Sequence, residues 1–186
     1  MLDPKQRGVM RHMLLALAVS IVVLLAAILW QPASLTPLAV PAQRLFFTLQ
    51  WDSLVLLCLV LAIGNLARHR FFTPADIDGS GLSQGTDRAH VLQAVLQNTL
   101  EQAAIAFMAH LLWTAVMPRD WMAAIPAAAI LFAIGRALFA FGYRRGAPAR
   151  DFGFALTFYP TAILTLVAVV SLVLNLLGLP GPGQSV

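Results

Sequence analysis

The chain has 186 residues, of which 60% are hydrophobic and 11% charged, with a formal net charge of +4 and a mean hydropathy of +0.81. This balance excludes a soluble globular domain, in which about a quarter of residues are charged. It also argues against nucleic acid as a partner, because the basic residues interrupt apolar stretches and form no patch with interleaved aromatics. A single cysteine, Cys58, excludes an intrachain disulfide framework and a multi-cysteine metal site, and its leucine and valine neighbours mark it as a small core residue.

Five apolar segments follow one another, each near or above the roughly 20 residues a spanning helix needs. The first is Met13 to Trp30. Lys5, Arg7 and Arg11 precede it as in a signal peptide, but its apolar run is longer than a signal core and no clear small-x-small cleavage site follows, so it is expected to span. A Pro-rich connection, Gln31 to Arg44, leads to the second segment, Leu45 to Ala67.

The next connection, Phe71 to Arg88, is rich in Gly, Ser and Asp. Its run from Asp76 to Asp87 has the spacing of a calcium loop, with oxygen-bearing side chains at Asp76, Asp78, Ser80 and Asp87 and a glycine at the sixth position. Asp at the last position reaches less far than the usual Glu, Ser83 replaces the apolar eighth residue, and no second loop exists. A solvated connector in which Asp or Thr caps the next helix is the preferred reading, with no metal expected.

The third segment, Val91 to Met117, contains Glu101, the only glutamate of the chain. An ionisable group at membrane depth costs several kcal/mol unless it faces a polar cavity or a partner. At about 100° per residue, Gln93, Gln97, Asn98, Glu101 and Gln102 fall on one half of the helix, with Ala104, Ile105, Met108 and Leu112 continuing that face outward. His110 lies on the opposite side. A cavity on this face would open toward the cytoplasm and end on an apolar floor.

The fourth segment, Trp121 to Tyr143, is crowded with Ala and Gly, which favours close helix approach. Pro126 here and Pro160 in the fifth segment, Phe152 to Leu177, are expected to kink their helices. Arg136 lies about 10 Å from the inner end of its helix, a depth similar to that of Glu101, so the two are expected to pair. That pair reads equally as a packing device or as part of a ligand site. Arg136, Phe139, Ala140 and Tyr143 share one face, and Arg150 stands at the start of helix five, where positive charge and the helix dipole would stabilise an anion.

Counted on alternate sides, Lys5, Arg7, Arg11, Arg68, Arg70, Arg88, Arg144, Arg145 and Arg150 oppose Arg44 and Arg119. The excess places the N-terminus in the cytoplasm and the C-terminus outside. The expected architecture is therefore an all-α, multi-pass membrane bundle of five transmembrane helices, without a soluble module.

Two motifs resemble the MAPEG family, the membrane-associated proteins in eicosanoid and glutathione metabolism. They are Gln97-Asn98-Thr99-Leu100-Glu101 and the run from Gly135-Arg136 through Phe139, Gly142-Tyr143 and Pro148 to Arg150. The resemblance covers the last four helices. It divides the chain into an N-terminal helix and outer loop (1–44), a four-helix core (45–177) and a short outer tail (178–186). It implies a homotrimer that binds glutathione as co-substrate between subunits and takes a lipophilic electrophile from the bilayer; the membrane is expected to be a bacterial inner membrane. Asn98 and Glu101, with Gln97 in the same motif, would hold the peptide, Arg136 and Tyr143 would line the cavity, and Arg150 would stabilise the thiolate. Departures from the pattern are Ala94, where family enzymes often have arginine, and Phe139 and Phe154, where characterised enzymes carry hydroxyls. Asp151 beside Arg150 bears on the charge of that arginine. A non-catalytic relative is the alternative expectation, and a calcium-responsive membrane protein the third.

Overall fold

In a computed structural model that describes residues 3–30, 38–79 and 81–182, the chain forms five long helices. These are α1 (Pro4–Trp30), α2 (Pro41–Phe72), α3 (Asp87–Val116), α4 (Ala124–Gly142) and α5 (Ala147–Leu176). Single turns of 3-10 helix precede α4 at Arg119–Trp121 and join it to α5 at Tyr143–Arg145. The helices α1, α2 and α5, and the span Arg119–Arg145 around α4, are long and apolar enough to cross a membrane. The fifth, α3, is 30 residues long, about 45 Å at 1.5 Å per residue. Its polar side chains keep it from that group, although it packs within the same bundle.

The central pair is α4 and α5, the most extensive helix contact in the molecule; the α2–α3 hairpin packs against them on one side, and α1 lies along α5 and α4. Glycine permits the central contact. A Cβ at Gly135 would sit 2.7 Å from Thr157 Cγ2 and 2.8 Å from the Gly153 carbonyl, and a Cβ at Gly153 would collide with the Phe139 backbone. Small residues thus let the two backbones touch.

Among the described residues, three apolar clusters fill the interior. One joins α2, α3 and α4 through Val55, Ala103, Ala106, Ala129 and Phe132, with Cys58 packed at its edge. A second unites Ala16 with Leu131, Ala155 and Leu156 from α4 and α5. The third, around Trp113, Met117, Met122 and Leu164, closes the other end of the bundle. There Arg44 donates to the carbonyls of Leu38 (2.9 Å) and Met117 (3.0 Å), satisfying a carbonyl at the C-terminus of α3.

Several expectations change at this level. Pro126 occupies the first turn of α4, where a missing N–H costs no intrahelical bond, so it does not interrupt the helix. Pro160 does lie inside α5. The α2–α3 connection ends as a cap: Thr86 Oγ1 accepts from Ala89 N, its own hydroxyl donates to Asp76 Oδ2 at 2.7 Å, and Thr86 N donates to Asp76 Oδ1 at 2.7 Å. His69 Nε2 reaches Asp76 Oδ2 at 2.8 Å. The Thr86 hydroxyl, more than any other contact, holds the Asp76 carboxyl below the usual carboxylate range. The first position of the calcium-loop pattern is therefore turned inward onto helix-capping groups, while Asp87 begins α3. Ser80 falls outside the described residues, as do residues 31–37 of the α1–α2 connection and 183–186 of the tail. Among the described residues, no three His, Cys, Asp or Glu side chains are grouped as a metal ion would require.

Candidate functional site

The first half of α3, the end of α4 and the first turns of α5 meet around a cavity of about 280 Å³ lined by Ala94, Asn98, Phe139, Tyr143, Arg150, Asp151 and Phe154. Its position follows from the sequence. Gly142 packs against the Ala149 carbonyl, where any side chain would collide, and this close approach fixes the reversal between α4 and α5. Gly146, at φ +91, makes the turn that starts α5. Arg150 is consequently carried back over the end of α4, with its guanidinium carbon 4.3 Å from the centre of the Tyr143 ring. That cation–π contact orients the charge without neutralising it.

Arg136 forms the inner boundary. It is 4% exposed. Nη1 donates to Asn98 Oδ1 at 2.8 Å and Nη2 to Thr157 Oγ1 at 2.5 Å, while the guanidinium carbon lies 4.6 Å from the Phe139 ring centre. The Thr157 hydroxyl donates to the Phe154 carbonyl at 2.7 Å, which leaves its lone pair for Arg136. Arg136 Nε has no partner, and among the described residues no carboxylate lies within salt-bridge distance of this side chain. The inner wall is thus a buried cation held by neutral oxygens.

The expected Glu101–Arg136 pair does not form within the chain. Glu101 is exposed and accepts from Gln97 Nε2 at 3.0 Å, one turn away on α3. The polar arc of α3 is divided among several surroundings. Asn98 turns to Arg136, Gln93 Oε1 accepts from Arg70 at 3.1 Å, Gln102 is buried, and Gln97 with Glu101 faces outward. A helical wheel gives direction about one axis only; which neighbour stands in that direction depends on the packing of α4 and α5.

Asn98, Tyr143 and Arg150 therefore share one cavity, and Arg136 joins them through Asn98. Glu101 and Gln97 do not line it. Thr157 was not singled out from the sequence, although it lies seven residues beyond Arg150 on α5 and so on the same helix face. Asp52 was also missed. It is 1% exposed within α2 and pairs with His110 of α3, whose Nδ1 donates to Asp52 Oδ1 at 2.5 Å. Nearby, the Thr114 hydroxyl donates to the His110 carbonyl, so Thr48 is the donor in the 2.6 Å Thr48–Thr114 contact.

Long apolar helices closing around a small cavity lined by Arg150, with Arg136 buried behind its Asn98, define a multi-pass membrane protein with a ligand-sized polar site. The chain matches the MAPEG family over residues 48–170 and belongs to that family. No individual curated protein and no solved structure matches it. Family membership supports, in general terms, a membrane glutathione transferase, peroxidase or related role. The matched segment runs from within α2 to within α5, so α1 lies outside it.

Proposed function

We propose that the protein is a membrane glutathione-dependent transferase or peroxidase acting on a lipophilic electrophile, with Arg150 stabilising the thiolate. The supporting observation is the shared cavity: Asn98, Tyr143 and Arg150 line it, and Arg136 stands behind Asn98 with no carboxylate beside it among the described residues. A buried guanidinium without a counter-anion favours an anionic ligand. Glutathione supplies carboxylates and a thiol whose conjugate base is the nucleophile.

In this reading Arg150, exposed to the cavity and fixed on Tyr143, presents a permanent positive charge to the sulfur, and the thiol proton leaves to water. A fixed cation lowers a thiol pKa and raises the nucleophile fraction at neutral pH. Asn98, backed by the Arg136 guanidinium, holds the peptide, with Tyr143 against it, and the apolar surfaces of Phe139 and Phe154 receive the lipophilic partner. Glu101 and Gln97, exposed on one protomer, contribute across the interface of a homotrimer. The cavity opens to the cytoplasm in a bacterial inner membrane.

Turnover of glutathione with a chromogenic electrophile tests this directly. Arg150→Ala is expected to lower kcat/KM by roughly 10²-fold, the scale for removing one preorganised electrostatic group. The second reading, a non-catalytic family member, is favoured by Ala94, Phe139 and Phe154 on the cavity wall, which offer no side-chain hydrogen bonds. Glutathione binding without turnover would support that reading, and absence of both removes glutathione from the account.

A further inference from the structure

Forming a thiolate releases a proton, and the cavity wall carries a group able to receive it. Among the described residues that line the cavity, Asp151 bears the single carboxylate. The guanidinium of Arg150 takes up no proton, an amide and a phenol are poor bases, and the side chains of Ala94, Phe139 and Phe154 have no polar atom.

The Asp151 carboxylate is uncommitted. Its Oδ2 is buried and has no hydrogen-bond partner, and among the described residues it forms no salt bridge, even with the adjacent Arg150. Helix geometry separates these two neighbours. Consecutive helical residues point about 100° apart, and Arg150 is drawn over the Tyr143 ring, its guanidinium carbon 4.3 Å from the ring centre. The first turns of α5 thus offer the cavity a cation and a free carboxylate at successive positions. The charged or titratable groups acting on Asp151 are Arg150 and His12 of α1, with Tyr143 across the cavity from the turn after α4; α3 and α4 present Ala94, Asn98 and Phe139, none of which titrates. A buried acceptor without a partner is costly, and a ligand thiol is a donor that would relieve it.

We propose that Asp151 is a further catalytic residue, the acceptor of the thiol proton. The S–H bond breaks and its electron pair stays on sulfur beside Arg150. The proton bonds to a carboxylate oxygen of Asp151, which then releases it to water at the cavity mouth and is again an anion. This deepens the reading of the cavity as a glutathione thiolate site, and rests on it. The two neighbours have separable effects. Arg150 favours the thiolate and so sets how much of it is present, whereas the negative charge of Asp151 opposes the thiolate at equilibrium and acts only on how fast it forms.

The test mixes full-length protein in lipid nanodiscs with glutathione in a stopped-flow instrument and follows the ultraviolet absorbance of the thiolate, reading its rate of appearance and its final amount at neutral pH. Asp151→Asn is expected to slow the appearance roughly 10²-fold, the lower end for loss of a general base, while the final amount stays equal to wild type or rises. Asp151→Glu, which keeps the base, should remain much closer to the wild-type rate. Formate added to Asp151→Ala should recover part of the rate, a rescue that a purely structural role would not give. Thiolate formation at the wild-type rate in Asp151→Asn overturns the proposal, as does a loss of rate and amount together that formate does not repair. If the wild type itself forms no thiolate with glutathione, the glutathione reading has failed, and the role of Asp151 falls with it.

Discussion

At Arg136, a buried guanidinium is held by two neutral oxygens and an aromatic face. Thr157→Val would leave one charged donor without its acceptor, at a cost of about 1–3 kcal/mol, whereas Thr157→Ser should retain most of the stability in detergent unfolding. Phe139→Tyr would add a hydroxyl to the cavity wall; one hydrogen bond of about 1 kcal/mol would tighten glutathione about fivefold in calorimetric titration. Asp76 carries a pH dependence. Its carboxyl is held below the usual range, chiefly by the Thr86 hydroxyl. Its contribution is therefore present above the unfolded carboxylate value near ~3.9 and is lost as pH falls through the lower folded value. Thermal melts of Asp76→Asn should accordingly show a flatter acid limb than wild type.

Between elements, two contacts differ in kind. The α4–α5 contact is backbone against backbone, so Gly135→Ala should cost about 1–3 kcal/mol, the range for overpacking a tight core, and should separate the elements that build the cavity. The α2–α3 contact contains the buried Asp52–His110 pair. Breaking such a pair by His110→Leu should cost about 3–5 kcal/mol, while replacing both members with leucine should cost much less. A double-mutant cycle on unfolding separates the two cases. These contacts also mark what the sequence disclosed. Apolar length gave the helices, and of the residues singled out around the end of α4, Tyr143 and Arg150 lie on the cavity wall while Arg136 lies behind it. The Glu101–Arg136 pair was inferred from matched depth, but depth does not fix azimuth, and in the folded chain Asn98 and Thr157 stand where Glu101 was expected. Asp52 was legible as a charge in an apolar helix, and its partner His110 was read only against Glu101.

For the whole molecule, the exposed side of α3 carries Leu100, Ile105 and Met108 beside Glu101. In the proposed trimer this face would meet another copy, and mass measurement in mild detergent should then give three chains. Cysteine labelling tests the orientation: in a Cys58→Ala background, Gln84→Cys should react from the cytoplasmic side and Asp120→Cys only from outside, as the arginine distribution requires.

The lone N-terminal helix also bears on how this fold diversifies. Because α1 rests chiefly on α5 and α4, and the α2–α3 hairpin packs without it, such a helix can be acquired without redrawing the hairpin. Once there, it buries Ala155 and Leu156 of α5 against Ala16, so the helix that carries Arg150 is braced by a segment outside the family match.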